Sequence, residues 1–166
     1  MHRSRALALV ASMSTFVLTA TCLTVSVPAA AGAETVSFEA EVLGGPQDLR
    51  SCTARLCGDA ALAGFGDATF TRVRTTSRPI SKSCEDHTAV DTFRLPDGSS
   101  LVLTVNGTGC AQGNQAPNLS GAAQIHGSWT VQETTGVFAG LTGAGTMSLR
   151  FHGERFSAEY VGMLHD

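Results

Sequence analysis

Four glycines between positions 136 and 145 are the first feature of this sequence with a possible chemical role. Gly136, Gly140, Gly143 and Gly145 stand among small and apolar residues in 134-TTGVFAGLTGAGTMSLRF-151. A glycine loop that cradles a phosphate reads G-x-G-x-x-G or G-x-x-x-x-G-K-[ST] and opens a helix. Here no lysine follows, and the next residues alternate like a strand. The pattern therefore predicts corners and close approach of strands, which glycine permits.

The histidines and serines form no motif for metal binding or nucleophilic catalysis. His87, His126, His152 and His165 show neither H-x-H nor H-E-x-x-H spacing, whereas zinc sites usually have two ligands close in sequence. No G-x-S-x-G, which marks one class of serine hydrolases, is present. We therefore predict no metal and no cofactor.

Charged residues in the strand-like segments are expected to face solvent. Asp86, His87 and Asp91 are interpreted as exposed polar surface, and Asp86 and His87 point to opposite faces if both lie in a strand. Arg72 and Arg74 share one face, which is expected to point outward.

Glu39 and Glu41 alternate with apolar residues, which is typical of a solvated outer face. The alternative is that one of them points inward as a general acid or base with a raised pKa. Glu41 and His126 are kept as candidates for such an interior position.

The first 33 residues have the pattern of a secretory signal peptide. His2, Arg3 and Arg5 form a positive region, an apolar run follows, and Ala31-Gly32-Ala33 is an A-x-A-type cleavage site. We expect cleavage after Ala33 and export of residues 34–166 as one domain. An uncleaved anchor and lipidation at a cysteine in this segment are the alternatives.

The exported segment excludes two classes of partner. It carries 9 basic residues against 14 acidic ones and has no basic block, so nucleic acid and anionic membrane surfaces are poor partners. No stretch after Glu34 is long and apolar enough to cross a bilayer as a helix. We therefore predict a secreted protein without a membrane anchor.

Short alternating runs bounded by Gly, Pro, Asp and Asn predict an all-β domain. One or two further strands are expected within 46–66 or 137–141, and 52–64 could hold one helical turn. The seven predicted strands lie near 35–43, 67–75, 86–95, 99–106, 122–133, 145–152 and 155–164.

The register of one predicted hairpin indicates how two of the four exported cysteines pair, and the other two remain as a second pair. Pro96-Asp97-Gly98 suits a three-residue hairpin loop between two strand-like runs. If the hairpin is centred on Asp97, Cys84 and Cys110 lie opposite each other, and we predict that they form a disulfide. Cys52 and Cys57 then remain to pair locally.

Seven or eight antiparallel strands, each with one apolar face, hide their edges best by closing into an up-and-down barrel. An immunoglobulin-like β-sandwich is the alternative. Trp129 lies after all four cysteines of the exported segment, however, and a Cys–Trp–Cys order is usual for that sandwich. The barrel is therefore the predicted fold.

The glycine-rich segment also resembles a known signature. Residues 135–145, TGVFAGLTGAG, are similar to the G-T-G-x-F-A-G-A-x-G-x-G pattern of allene oxide cyclase-like and dirigent-like proteins and of their small secreted bacterial relatives. The resemblance implies a calycin-like barrel that this segment closes. It also implies that the barrel interior could serve as an apolar reaction chamber.

Three functions follow from these features. The first is binding of a small apolar molecule or an extracellular partner. The second is steering of cyclisation or coupling inside the barrel, as in the allene oxide cyclase-like or dirigent-like group. The third is a pocketless interaction or inhibitor protein that uses the loop 107–121. Candidate interior binding residues are Phe70, Phe93, Trp129, Phe138, Tyr160, Glu41 and His126.

Overall fold

The computed structural model describes residues 35–45, 56–111 and 123–166. They form an all-β fold of eight antiparallel strands that closes into a barrel in chain order, with the last strand paired to the first. A 3-10 helix, Gly136–Phe138, follows the sixth strand. The strands are β1 (Thr35–Gly44), β2 (Leu56–Leu62), β3 (Gly66–Pro79), β4 (Cys84–Arg94), β5 (Ser100–Ala111), β6 (Ala123–Thr135), β7 (Thr142–His152) and β8 (Arg155–His165).

The predicted up-and-down barrel is thus confirmed, and the sandwich alternative is excluded because every strand has two paired neighbours. The predicted signal peptide, residues 1–33, lies outside the described residues. Within the described ranges no helix is long and apolar enough to span a bilayer.

Strand β2 supplies the eighth strand that the sequence left open. Leu56, Ala60 and Leu62 face the interior, whereas Asp59 and Ala61 are exposed. Of the two alternatives for this region, the strand is confirmed and a helical turn is wrong for residues 56–62. The alternation of apolar and polar residues in β2 is weak in the sequence, because small residues such as alanine lie on both faces of the strand.

The β4–β5 hairpin has the predicted register. Phe93 lies opposite Leu101, and Cys84 lies opposite Cys110. These two cysteines form a disulfide, with their Cα atoms 4.1 Å apart. Cys57 is disulfide-bonded as well, but Cys52 lies outside the described residues, so the Cys52–Cys57 pairing stays a prediction.

Buried side chains pack the barrel toward both ends, including Phe151 and Phe156 beside the turn 153–154. At one end, which we call the plugged end, lie the turns 63–65 and 95–99 and the 3-10 helix. Phe138 at the end of that helix is fully buried, and its ring centroid lies 4.8 Å from that of Phe65. The opposite end, which we call the disulfide end, carries the turns 80–83 and 153–154 and the Cys84–Cys110 bridge.

Three pairs of glycines face each other across neighbouring strands: Gly44 and Gly58, Gly107 and Gly127, and Gly145 and Gly162. A Cβ atom at Gly145 or Gly162 would collide with the indole of Trp129 and with the backbone of the opposite strand. Two of the glycines in the signature-like segment therefore act as predicted. Gly145 allows close approach of strands, and Gly136, with φ of +62°, begins the 3-10 helix.

We expect Gly162→Ala to destabilise the barrel by about 1–3 kcal/mol, as overpacking of a filled core typically does. The added methyl group would overlap both the Trp129 indole and the backbone around Ala144. Denaturant unfolding measures the loss. Ala144→Val, on the exposed face of the facing strand, is the control and should change the free energy of unfolding by less than about 0.5 kcal/mol. Equal effects for both variants would contradict the packing account.

Candidate functional site

The ionisable residues of β3 and β4 that were expected on the surface lie inside the barrel. Arg72 has the same parity as Ala68 and Phe70, and Asp91 has the same parity as Ala89 and Phe93. Because alternate residues of a strand share a face, both point into the core. The expectation of an outward Arg72 and an exposed Asp91 is therefore wrong, since they are 3 % and 0 % exposed.

Arg72, Asp91 and Tyr160 form a buried triad that crosses the barrel. Arg72 and Asp91 lie directly opposite each other on β3 and β4, and the Arg72 Nε atom is 2.8 Å from Asp91 Oδ1. The Tyr160 hydroxyl, from β8, donates a hydrogen bond of 2.6 Å to Asp91 Oδ2. Asp91 Oδ2 thus accepts a hydrogen bond, and Oδ1 faces the Arg72 cation.

The guanidinium of Arg72 is only partly satisfied by the protein. Its Nε–H is poorly aligned with Asp91 Oδ1, so that contact is an ion pair without a well-directed hydrogen bond. The Nη2 atom reaches the sulfur of Met147 at 4.0 Å, a weak acceptor. The Nη1 atom is buried and has no hydrogen-bond partner. Buried donors in this condition are uncommon and call for a physical explanation.

Burial sets the titration behaviour of the triad. Desolvation raises the pKa of the Asp91 carboxyl, against the opposing effects of the Arg72 charge and the hydrogen bond from Tyr160. Desolvation, reinforced by the charge of Asp91, also raises the pKa of Tyr160 well above 10.0. Tyr160 therefore keeps its proton and acts as a donor to Asp91.

A second, partly exposed polar cluster lies on β3 and β4 nearer the disulfide end. The register of β3 against β4 shifts between Arg74 and Thr76, so Arg74 lies opposite Ala89 and the exposed Ser77 lies opposite His87. Both meet the carboxylate of Glu85. The Arg74 Nη1–Glu85 Oε1 distance is 2.5 Å, and the Ser77 hydroxyl donates to Oε2 at 2.6 Å. Arg74 was expected to point outward, and that expectation is wrong.

His87 lies between the triad and this second cluster and is 6 % exposed, which corrects its assignment to the surface. Its neighbour Asp86 is exposed, as the predicted opposition of the two side chains requires. The Nδ1 atom has no hydrogen-bond partner. Burial, followed by the charge of Arg72, lowers the pKa of His87 and favours the neutral ring.

The aromatic candidates from the sequence all lie in the interior, where they pack on one another and on the triad. The Tyr160 ring contacts Phe93 edge-on at 5.1 Å and lies 6.2 Å from Phe70, while its hydroxyl reaches Asp91. Trp129 packs edge-on against Phe38 at 5.3 Å and donates to the Thr146 carbonyl. Phe70, Phe93, Trp129, Phe138 and Tyr160 are each 1 % exposed or less.

The two polar candidates for the interior, Glu41 and His126, are wrong because both side chains point out of the barrel. Glu41 lines an outer groove of about 790 Å³ with Asp59, Asp67 and Arg94 among its walls. His126 lines another of about 430 Å³ beside Asp86, Asn106 and Thr108. Polar side chains of the second groove form hydrogen bonds with one another, since the Thr108 hydroxyl donates to Asp86 and the Thr88 hydroxyl donates to Asn106.

Two remaining predictions concern metals and a loop. Across residues 35–45, 56–111 and 123–166, no three His, Cys, Asp or Glu side chains come together as a metal site would require. Of the loop 107–121, residues 107–111 belong to β5, and residues 112–121 lie outside the described residues.

Reasoning from sequence missed the triad although a signal for two of its members was present. The alternation of Arg72 with Phe70 and of Asp91 with Phe93 indicates an inward direction, whereas the charge of each side chain alone favours the surface. The contact with Tyr160 had no local signal, because it joins strands 69 residues apart in the chain.

Comparisons with protein-family models, with curated proteins and with solved structures found no match to this chain.

Removing one partner of the Arg72–Asp91 ion pair should lower the free energy of unfolding much more than replacing both partners with apolar residues. Asp91→Leu leaves the Arg72 cation buried without its partner and should cost about 3–5 kcal/mol in the free energy of unfolding. The triple variant Arg72→Met/Asp91→Leu/Tyr160→Phe removes all three polar groups and should recover most of that loss. Equilibrium denaturation compares the variants.

Asp86→Leu is the matched control, because it makes the same change on the exposed face of the same strand. It should change the free energy of unfolding by no more than about 0.5 kcal/mol. A triple variant as unstable as Asp91→Leu would show that the loss does not come from an uncompensated charge.

Proposed function

We propose that this protein is a secreted binding protein of the calycin-like type. Its ligand is one small, mostly apolar molecule held in the interior next to the Arg72–Asp91–Tyr160 triad. The observation that carries the proposal is the Arg72 guanidinium, which is buried inside the barrel and keeps its Nη1 atom without a protein partner.

The distribution of side chains supports this position for the ligand. Aromatic rings pack the plugged end around Phe138, and the polar groups of Arg74, Glu85 and His87 lie toward the disulfide end. A ligand at the boundary would meet apolar walls on one side and a few fixed polar groups on the other. Small-molecule sites commonly combine an apolar lining with a few convergent polar groups.

The resemblance of residues 135–145 to the allene oxide cyclase-like and dirigent-like signature agrees with this proposal, because such barrels use their interiors. Secretion rests on the signal-peptide pattern of residues 1–33.

Steering of a cyclisation or coupling is a second candidate, favoured by the same buried cation. A fixed guanidinium in a site from which water is excluded would stabilise negative charge developing on a substrate oxygen. The aromatic walls would hold a reactive conformer. Asp91 would then serve as a positioning residue that keeps Arg72 in place, because both of its oxygens are already engaged. Recovery of a bound molecule that differs covalently from the one supplied would favour this candidate over simple binding.

The binding proposal predicts that protein purified from culture medium carries a small molecule. Native mass spectrometry should show a noncovalent adduct that organic extraction removes. Trp129 is the only tryptophan of the chain and is fully buried in the interior, so its fluorescence should change when the extract is added back. The proposal would be contradicted if the protein carries no adduct and if its Trp129 fluorescence changes with neither the extract nor simple apolar probes.

A further inference from the structure

Apart from Arg72 Nε, which faces Asp91 Oδ1 as an ion pair, two buried nitrogens at the candidate site have no hydrogen-bond partner in the protein, and they restrict what the ligand can be. They are Arg72 Nη1 and His87 Nδ1. Both side chains are more than nine-tenths buried, and both belong to inward-facing positions of β3 and β4. A guanidinium nitrogen can only donate a hydrogen bond. The ligand group beside Arg72 must therefore be an acceptor.

The other nitrogens of Arg72 are directed elsewhere. Nε faces Asp91 Oδ1, and Nη2 faces the Met147 sulfur. Tyr160 holds the second oxygen of Asp91, which fixes the carboxylate and, through it, the guanidinium. Nη1 is consequently a positioned donor on a side chain that cannot easily turn away.

The charges around this donor are already balanced. Asp91 compensates Arg72, and Glu85 compensates Arg74 one layer farther toward the disulfide end. His87 favours its neutral form because of its burial and the nearby Arg72 charge. A ligand carboxylate would add an uncompensated negative charge beside Asp91, and a ligand ammonium group would meet Arg72 without a free carboxylate. Burying an unpaired charge is costly, so an uncharged acceptor fits best.

The aromatic side chains around the triad indicate the chemical character of the rest of the ligand. Phe70, Phe93 and Phe156 pack around the ring of Tyr160 or around one another in the barrel interior. A chain or ring of carbon atoms matches these faces, and no second charged pair is presented by the described residues of this layer.

We infer that the ligand is an apolar molecule with an uncharged carbonyl oxygen that accepts a hydrogen bond from Arg72 Nη1. His87 offers a second polar contact toward the disulfide end. This inference rests on the proposed function and specifies its ligand class.

Four probes of equal chain length test it: 2-octanone, 1-octene, octanoate and octylammonium. Each is titrated into the full exported protein at pH 7, with Trp129 emission and ligand-observed NMR as independent readouts. The wild type should bind 2-octanone at least about tenfold more tightly than 1-octene, since a hydrogen bond to a charged donor contributes roughly that factor. Octanoate and octylammonium should also bind at least about tenfold more weakly than the ketone.

Two variants test whether the preference for the ketone depends on Arg72. In Arg72→Met/Asp91→Leu/Tyr160→Phe the preference for 2-octanone over 1-octene should fall to less than about threefold, because the donor is gone. Arg150→Met, an exposed arginine on β7, should keep the wild-type preference. The comparison of the four probes on the wild-type protein stands even if the triple variant does not fold.

The outcomes separate this inference from the proposed function. If 1-octene or octanoate binds the wild type as tightly as 2-octanone, or if the triple variant keeps the ketone preference, the carbonyl inference is overturned while interior binding stands. If none of the four probes binds the wild type, both are overturned.

Discussion

One buried cation, the guanidinium of Arg72, constrains the rest of the interior. A charge in an apolar core is tolerated only if it is compensated, and Asp91 stands directly opposite in the β3–β4 register. Asp91 in turn needs a donor for its second oxygen, which β8 supplies across the barrel through Tyr160. The ion pair therefore fixes the register of one strand pair and ties it to a strand on the other side. A slip of one residue would turn these side chains out of the barrel.

The remainder of the fold accommodates this arrangement. Opposed glycines let strands approach where side chains would collide, most clearly at Gly145 and Gly162 around the Trp129 indole. The bulge after Arg74 turns part of β3 so that the exposed Ser77 donates a hydrogen bond to Glu85. The glycine-rich segment thus belongs to the closure of the barrel, whereas the unsatisfied nitrogens of Arg72 and His87 mark the site of the proposed binding.

Local patterns in the sequence were enough for much of this fold. Alternation gave the strand class, and the turn at Asp97 gave the register that joins Cys84 to Cys110. The alternation of apolar and polar residues also indicates the inward direction of Arg72 and Asp91. Their charge favours the surface, and for these two residues the position in the strand is the correct guide. Other features had no local signal. The bulge beyond Arg74 changes parity within one strand, and the contact of Tyr160 with Asp91 depends on how the whole barrel closes.

The most direct measurement of the central claim uses the only tyrosine of the chain, Tyr160. An ultraviolet titration follows formation of its phenolate without interference from another tyrosine. Because burial and the neighbouring Asp91 carboxylate raise the pKa of Tyr160 well above 10.0, no phenolate should appear as the pH passes that value while the protein stays folded. Ionisation should instead accompany unfolding. A reversible titration of the folded protein near pH 10 would contradict the buried triad.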